Sequence, residues 1–265
     1  MLQLYVRLIG ARIRAQMQYK VSFWLELIGF ALTTGLEFAV VAILFSRFPS
    51  VAGWSVFEVG LLYGMTSMAL GMAEMVGRGF DAPFEAMMQA GTFDKVLTRP
   101  LGTFFQVISS EFQLRRLGRV IQGGVVFSYG LFHLSIDWTP AKLILLPLTM
   151  LSGFTIYLAL MVISATICFW TIKTPEVVNI FTFGGDFMMS YPLSIYNRFI
   201  RTVFIYVVPL AFINYPTALT LLERTDPHGL PSAIAWASPL AAALFFAVAL
   251  RFWRIGLTKY TSTGS

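Results

Sequence analysis

Between residues 143 and 172 the chain contains no Asp, Glu, Lys or Arg. A helix needs about 20 mostly apolar residues to cross the hydrocarbon core of a bilayer. A run this long is a transmembrane span, and little else can accommodate it. The rest of the 265 residues agrees: 57% are hydrophobic and 12% charged, with mean hydropathy +0.73. Soluble domains carry roughly 25% charged residues. The expectation is an all-α membrane protein forming one bundle over residues 1–265. No polar stretch is long enough for an extramembrane domain.

Six spans are expected. They cover about 22–45, 57–77, 107–132 and 142–171, a fifth from about 176, and 232–252. The third is the least clean. Glu111, Arg115, Arg116 and Arg119 occupy its first half, which should protrude or face protein. In the fifth, Gly184-Gly185-Asp186 predicts a broken helix, and Tyr191-Pro192 follows. Arg198 and Arg201 then precede an apolar run, 202–222, interrupted by Pro209, Asn214 and Pro216. A re-entrant helical hairpin fits this run, since irregular backbone at membrane depth must be buried in protein or line a wet cavity. A seventh span is the alternative. Residues 1–20 read as an interfacial helix, with Leu2, Val6, Ile9, Ile13 and Met17 on one stripe and Gln3, Arg7, Arg14 and Gln18 on another face. A partly frayed tail is the alternative there. No signal peptide is expected.

Charge sets the orientation. With both termini inside, 14 of the 19 Lys and Arg fall on the cytoplasmic side and 5 outside. That asymmetry favours cytoplasmic termini in a plasma (inner) membrane. The net charge of +6 therefore suits anionic lipid headgroups, and nucleic acid is not an expected partner. The single cysteine, Cys168, excludes an intrachain disulfide.

The same orientation leaves a cytoplasmic island at 78–100, too polar to span and too short to be a domain. Asp81 stands as N-cap, Pro83 in the first turn, and Gly91 at the C-cap. Phe84, Met87 and Met88 form an apolar face that the loop itself cannot bury, as in a helix that docks into a groove. Glu85, Asp94 and Arg99 would be rim charges fixing register, or else local caps and ion pairs. Asp94 follows Thr92 in the first turn of a second short helix, where a negative charge meets the helix dipole favourably.

Enzymatic chemistry finds little support. His133 and His228 form no metal-binding spacing. No G-x-S-x-G elbow and no G-x-x-x-x-G-K-[ST] loop occurs. Intramembrane acids are the stronger functional signal. Glu26 and Glu37 lie on the first span, and Asp186 on the fifth. Gly60, Gly64, Ser67, Gly71 and Glu74 form a small and polar stripe on the second. These faces could line a pathway or subunit interface. They could equally be helix packing with one ion pair, Glu74 with Arg78 at i,i+4. Methionines such as Met65 and Met188 suit either packing or an adaptable apolar site.

Three motifs then resemble the ABC-2 type transporter permeases, closest to the six-span branch that includes proposed viologen exporters. They are Gly91-x-Phe93-Asp94-x-x-Leu97-x-Arg99-Pro100, Tyr191-Pro192-x-x-Ile195-Tyr196 and Pro209-x-x-Phe212-x-Asn214-x-Pro216-x-Ala218. The resemblance covers essentially the whole chain. It implies that the island is a coupling helix seated on a cytosolic ABC ATPase, with Phe84, Glu85, Met88, Gly91, Asp94, Leu97, Arg99 and Pro100 at the contact. It implies an outer re-entrant region at 198–231 gating the exit, where Pro209, Asn214, Tyr215 and Pro216 fall. Two permeases, identical or related, would pair across a pathway, to which Glu37, Glu74, Asp186 and Tyr191 are assigned. No cofactor is expected on this chain, with ATP and Mg held by the ATPase. The cargo would be a lipophilic or cationic small molecule moving outward, acids without matching bases being compatible with a cation. A secondary transporter or channel is the alternative, and an intramembrane enzyme a further one.

Overall fold

The computed structural model describes residues 2–173 and 179–261. The described residues are helical, with no strand beyond an isolated bridge between Val51 and Trp54. Four helical stretches are long and apolar enough to cross a membrane: Lys20–Arg47, Val56–Gln89, Pro140–Thr171 and Ser232–Lys259.

Helix α1 (Leu2–Met17) exposes Gln3, Arg7 and Arg14, as the pattern predicts. On its apolar stripe Ile9, Ile13 and Met17 are half-buried and Val6 is exposed. It is tied down instead by Gln16, which donates to Phe112 O and accepts from Leu114 N at 3.1 Å, and by Tyr5 edge-on to Phe105. Helix α2 (Lys20–Arg47) is apolar almost all round and leaves Leu25, Leu32, Leu36 and Val40 exposed. In water such a surface would aggregate, whereas in a bilayer it meets acyl chains.

Helix α3 (Val56–Gly77) is the buried axis. Ser55 and Glu58 close its start with a reciprocal capping box. Helix α7 (Leu117–His133) packs directly on it because the contact is made of glycine. A Cβ on Gly64 would stand 2.5 Å from Phe127 Cβ and 2.8 Å from Gly123 O. Small residues at such spacing let two backbones approach closely.

The expected third span, 107–132, is not continuous. It divides into α6 (Thr103–Ile108), an irregular stretch with one 3-10 turn at Leu114–Arg116, and α7. The charged residues at 111–119 are the reason, since each needs a partner that a lipid-facing helix cannot supply. At 1.5 Å per residue α7 is about 26 Å long, short of the roughly 30 Å core.

Helix α8 (Pro140–Thr171) is capped by Thr139, whose side chain accepts from Lys142 N, and ends at Ile172 with φ +65°. The start of the fifth segment, near 176, lies outside the described residues. From Asn179 the chain is helical, with a π turn at Ile180–Gly184 leading into α9 (Gly185–Met189). The break predicted at Gly184-Gly185 is thus a correction. The helix is widened before the glycines and runs on through them. Gly185 serves close packing, because a Cβ there would lie 2.6 Å from Leu210 Cδ1.

Beyond it, α10 (Arg198–Thr202), a π turn (Val203–Val207), a 3-10 turn (Leu210–Ile213) and α11 (Tyr215–Leu221) follow in broken succession. Pro209 lacks the amide hydrogen that a continuous helix would need, so no straight helix forms. A 3-10 turn, Ser232–Ala237, leads into α12 (Ser238–Lys259), which lies against α8 and runs past the expected end at 252.

Candidate functional site: a charged cavity and a helical island

The island consists of α4 (Ala82–Gln89) and α5 (Asp94–Leu97). Gly91 ends α4 as expected. Its φ is +63°, and Gly91 N and Thr92 N donate to Met88 O and Met87 O at 3.2 and 3.0 Å. This paired closure satisfies the last carbonyls and requires the left-handed residue. Asp81 stands at the N-cap, but its side chain makes no cap hydrogen bond, because its carboxylate pairs with Arg78.

The apolar face is a second correction. Phe84 and Met88 are buried within the protein, not held out for a partner. Phe84 packs on Phe169 of α8 and Trp253 of α12, with ring centroids 5.5 and 5.4 Å apart. Phe93 meets Phe169 and Tyr260 at 5.4 and 5.0 Å. Tyr260 also donates to Asp94 Oδ1 at 3.0 Å. The loop had nothing of its own to bury this face, and the ends of α8 and α12 supply it. What the island exposes is a different edge: Ala86, Gln89 and Ala90, then Leu97, Arg99 and Pro100. Glu85 is half-buried and accepts from Gln89 at 2.9 Å.

Away from the island, the 3-10 turn at Leu114–Arg116 and the start of α7 distribute their arginines among other helices. Arg115 pairs with Glu26 of α2, Arg116 with Glu74 of α3 at 3.1 Å, and Arg119 with Asp186 of α9. Arg116 also covers the Phe30 ring at 4.2 Å. Glu26, Glu74 and Asp186 therefore have matching bases, contrary to expectation. Glu74 forms its ion pair not with Arg78 but with Arg116, and Arg78 turns to Asp81.

Three of the four residues assigned to a pathway come together. Glu37, Asp186 and Tyr191 line one cavity of about 220 Å³ with Tyr63, Arg119 and Phe187. Tyr63 donates to Thr34 O at 2.6 Å, fixing α3 to α2. Glu74 is buried and does not line this cavity. Glu37 makes no hydrogen bond or direct ion pair among the described residues, although Arg119 and Asp186 lie within electrostatic range. In the sequence Arg119 is read only as a charge that should protrude or face protein, and Tyr63 is not singled out. The signal for Arg119 was the excess of charge in an otherwise apolar third segment.

The residues assigned to an outer gate serve two separate junctions. Asn214 is buried and donates to Thr66 Oγ1 and Leu62 O of α3, at 2.7 and 3.2 Å, and to Met189 O of α9. Tyr215 donates to Asp226 Oδ1 at 2.6 Å. Asp226 also accepts from Arg201 Nη2 at 2.7 Å and from the amides of His228 and Leu230. Burial alone would raise the Asp226 carboxyl, but Arg201, Tyr215 and the Leu230 amide outweigh it and hold it below its ordinary value. Pro209 precedes the 3-10 turn, and Pro216 stands in the first turn of α11, where a missing amide costs nothing. Arg224 reaches Glu58 at 2.9 Å and the Trp54 ring at 4.8 Å, and so fastens this region to the start of α3.

Neither histidine has the surroundings of a metal ligand. His133 stacks on Phe57 at 4.5 Å, and no metal-binding cluster occurs among the described residues. No curated protein and no solved structure matches the chain. A family model, described as ABC-2 family transporter protein, matches residues 31–264, which takes in the cavity, the island and the broken 198–221 region. The chain belongs to the ABC-2 family of transporter proteins.

Proposed function

We propose that the chain is the permease subunit of an ATP-driven exporter of the plasma membrane. Two such permeases, identical or related, pair on two cytosolic ABC ATPase subunits. The termini and the island face the cytoplasm, the bundle crosses the membrane six times, and the 198–231 region forms the outer re-entrant gate. The cargo is a lipophilic or cationic small molecule, in keeping with the resemblance to the branch of proposed viologen exporters. Family membership supports an ATPase partner, since the permease motifs include none that binds a nucleotide.

One observation carries this reading: a single rigid element runs from the cavity to the island. Tyr63 lines the cavity on α3, and the same helix continues to Gly77, one residue from the turn that opens the island. The island is in turn wedged against α8 and α12 by Phe84 and Phe93. A push on its exposed edge is therefore delivered to the cavity lining without passing through a flexible linker. The contact with the ATPase is made by Gln89, Ala90, Leu97, Arg99 and Pro100. Phe84, Met88, Gly91 and Asp94 hold that edge rigid from behind.

The test is co-expression with a cytosolic ABC ATPase of the same organism, followed by purification and reconstitution. A stable complex whose ATP hydrolysis depends on the permease supports the reading. A permease that forms no complex with that ATPase, and moves solutes along an ion gradient instead, contradicts it.

A further inference from the structure

A second cavity lies beside the first. It measures about 330 Å³ and is bounded by Phe38, Ala42, Phe45, Phe57, Gly60 and Tyr129, between α2, α3 and α7. Apart from the hydroxyl-bearing Ser46 and Tyr129, the lining side chains are wholly apolar or absent. Gly60 keeps the space open, because a Cβ there would already touch Phe38 Cζ at 3.5 Å and Val126 Cγ1 at 3.6 Å. The two cavities share α2 and α3, and the ring pair Phe38–Tyr63, with centroids 5.1 Å apart, stands between them. Phe38 lines the apolar cavity and Tyr63 the charged one.

Their chemistry is complementary. In the charged cavity Arg119 and Asp186 neutralise one another, which leaves the Glu37 carboxylate uncompensated. The aromatic side chains of Tyr63, Phe187 and Tyr191 line the same cavity. A carboxylate among aromatic rings suits a cation, through ion pairing and cation–π attraction, and repels an anion. The neighbouring cavity offers apolar wall and scarcely any hydrogen-bonding group, which suits hydrocarbon.

We infer that the two cavities form one bipartite site for a cationic amphiphile, with the ammonium-type head beside Glu37 and the hydrocarbon tail beyond the Phe38–Tyr63 pair. This rests on the transport reading above and narrows its cargo from small molecules in general to molecules with one positive head and one apolar arm. Phe38 is the partition, and turning its ring aside joins the two spaces. Arg119 is a positioning residue that holds Asp186 neutralised, so that Glu37 alone selects the head.

The experiment measures equilibrium binding to the full chain in nanodiscs, with empty nanodiscs subtracted and no ATPase or nucleotide present. The probes are dodecyltrimethylammonium, tetraethylammonium and dodecyl sulfate at sub-solubilising concentration. The native protein is expected to bind the long-chain cation at least about tenfold more tightly than tetraethylammonium, the difference coming from buried hydrocarbon. Glu37→Gln should weaken both cations by about tenfold or more. Ala42→Trp, which fills the apolar cavity from an exposed position, should abolish the long-chain advantage and leave tetraethylammonium unchanged. Preferential binding of dodecyl sulfate, equal loss of both cations in Ala42→Trp, or indifference to both substitutions would overturn the inference. Because binding is read without the ATPase, its failure leaves ATPase association intact, and the failure of ATPase association leaves the binding result intact.

Discussion

The ring of Phe84 on the island lies 5.4 Å from the ring of Trp253 on the last long helix, and both side chains are buried. The contact joins a short helix between two spans to a span more than 160 residues further along the chain. It makes the island part of the bundle's core, with Phe169 and Phe93 completing the cluster.

Phe84→Ala should consequently act on stability before it acts on any partner. Removing a fully buried phenylalanine leaves a cavity and costs about 3–5 kcal/mol. Thermal unfolding of the purified protein checks this. An unchanged midpoint would mean that the ring is not in the core. Ala90→Arg, on the exposed edge, should leave the midpoint where it is.

The ion pair between Arg119 and Asp186 gives the second prediction. Both side chains are largely buried, at 8% and 14% exposure. Asp186→Asn strands the guanidinium and should cost about 3–5 kcal/mol. Replacing both partners, with Arg119→Met and Asp186→Leu together, should recover most of that loss, since apolar groups of similar volume need no counterion. A double variant as unstable as the sum of the single ones would show that the two side chains act independently.

Some of this was legible in the sequence, and the residues show why. The uncharged run at 143–172 and the glycines at 60 and 64 report on single helices, so periodicity and composition reveal them. The Gly91 cap is equally local, since a left-handed residue after an apolar turn has few other uses. Arg119 and Asp186 are 67 positions apart. No helical period connects them, so the acids looked unpaired. The island's apolar face looked exposed for the same reason: Phe169 and Trp253, which cover it, are invisible from the loop. The glycines suggested a break because their spacing says nothing of Leu210, 25 positions on, whose close approach requires a residue without a Cβ at 185.

A pH prediction follows from Asp226. Its carboxyl is held below the ordinary value of 3.8, so the unfolded chain takes up a proton more readily than the folded one as the pH falls. The stability contributed by Asp226 is therefore fully present above about pH 4 and is lost as the pH drops through the folded value. Asp226→Asn should lower the unfolding midpoint at pH 6, by about 1–3 kcal/mol of lost hydrogen bonding and ion pairing. The gap from the native protein should narrow as the pH approaches 3. A gap that is constant with pH would exclude Asp226 as the titrating group.

The central claim is that the exposed edge of the island is gripped by an ATPase on the cytoplasmic side. A photo-crosslinking amino acid placed at Gln89, in cells co-expressing a cytosolic ABC ATPase that co-purifies with this chain, tests it most directly. Gln89 is exposed, and its only described side-chain bond is to Glu85, so the substitution should not disturb the fold. The account predicts a covalent adduct between this chain and the ATPase from position 89, and none from position 50 at the opposite end of α2 and α3. An intact complex that crosslinks from Ser50 but not from Gln89 would contradict it.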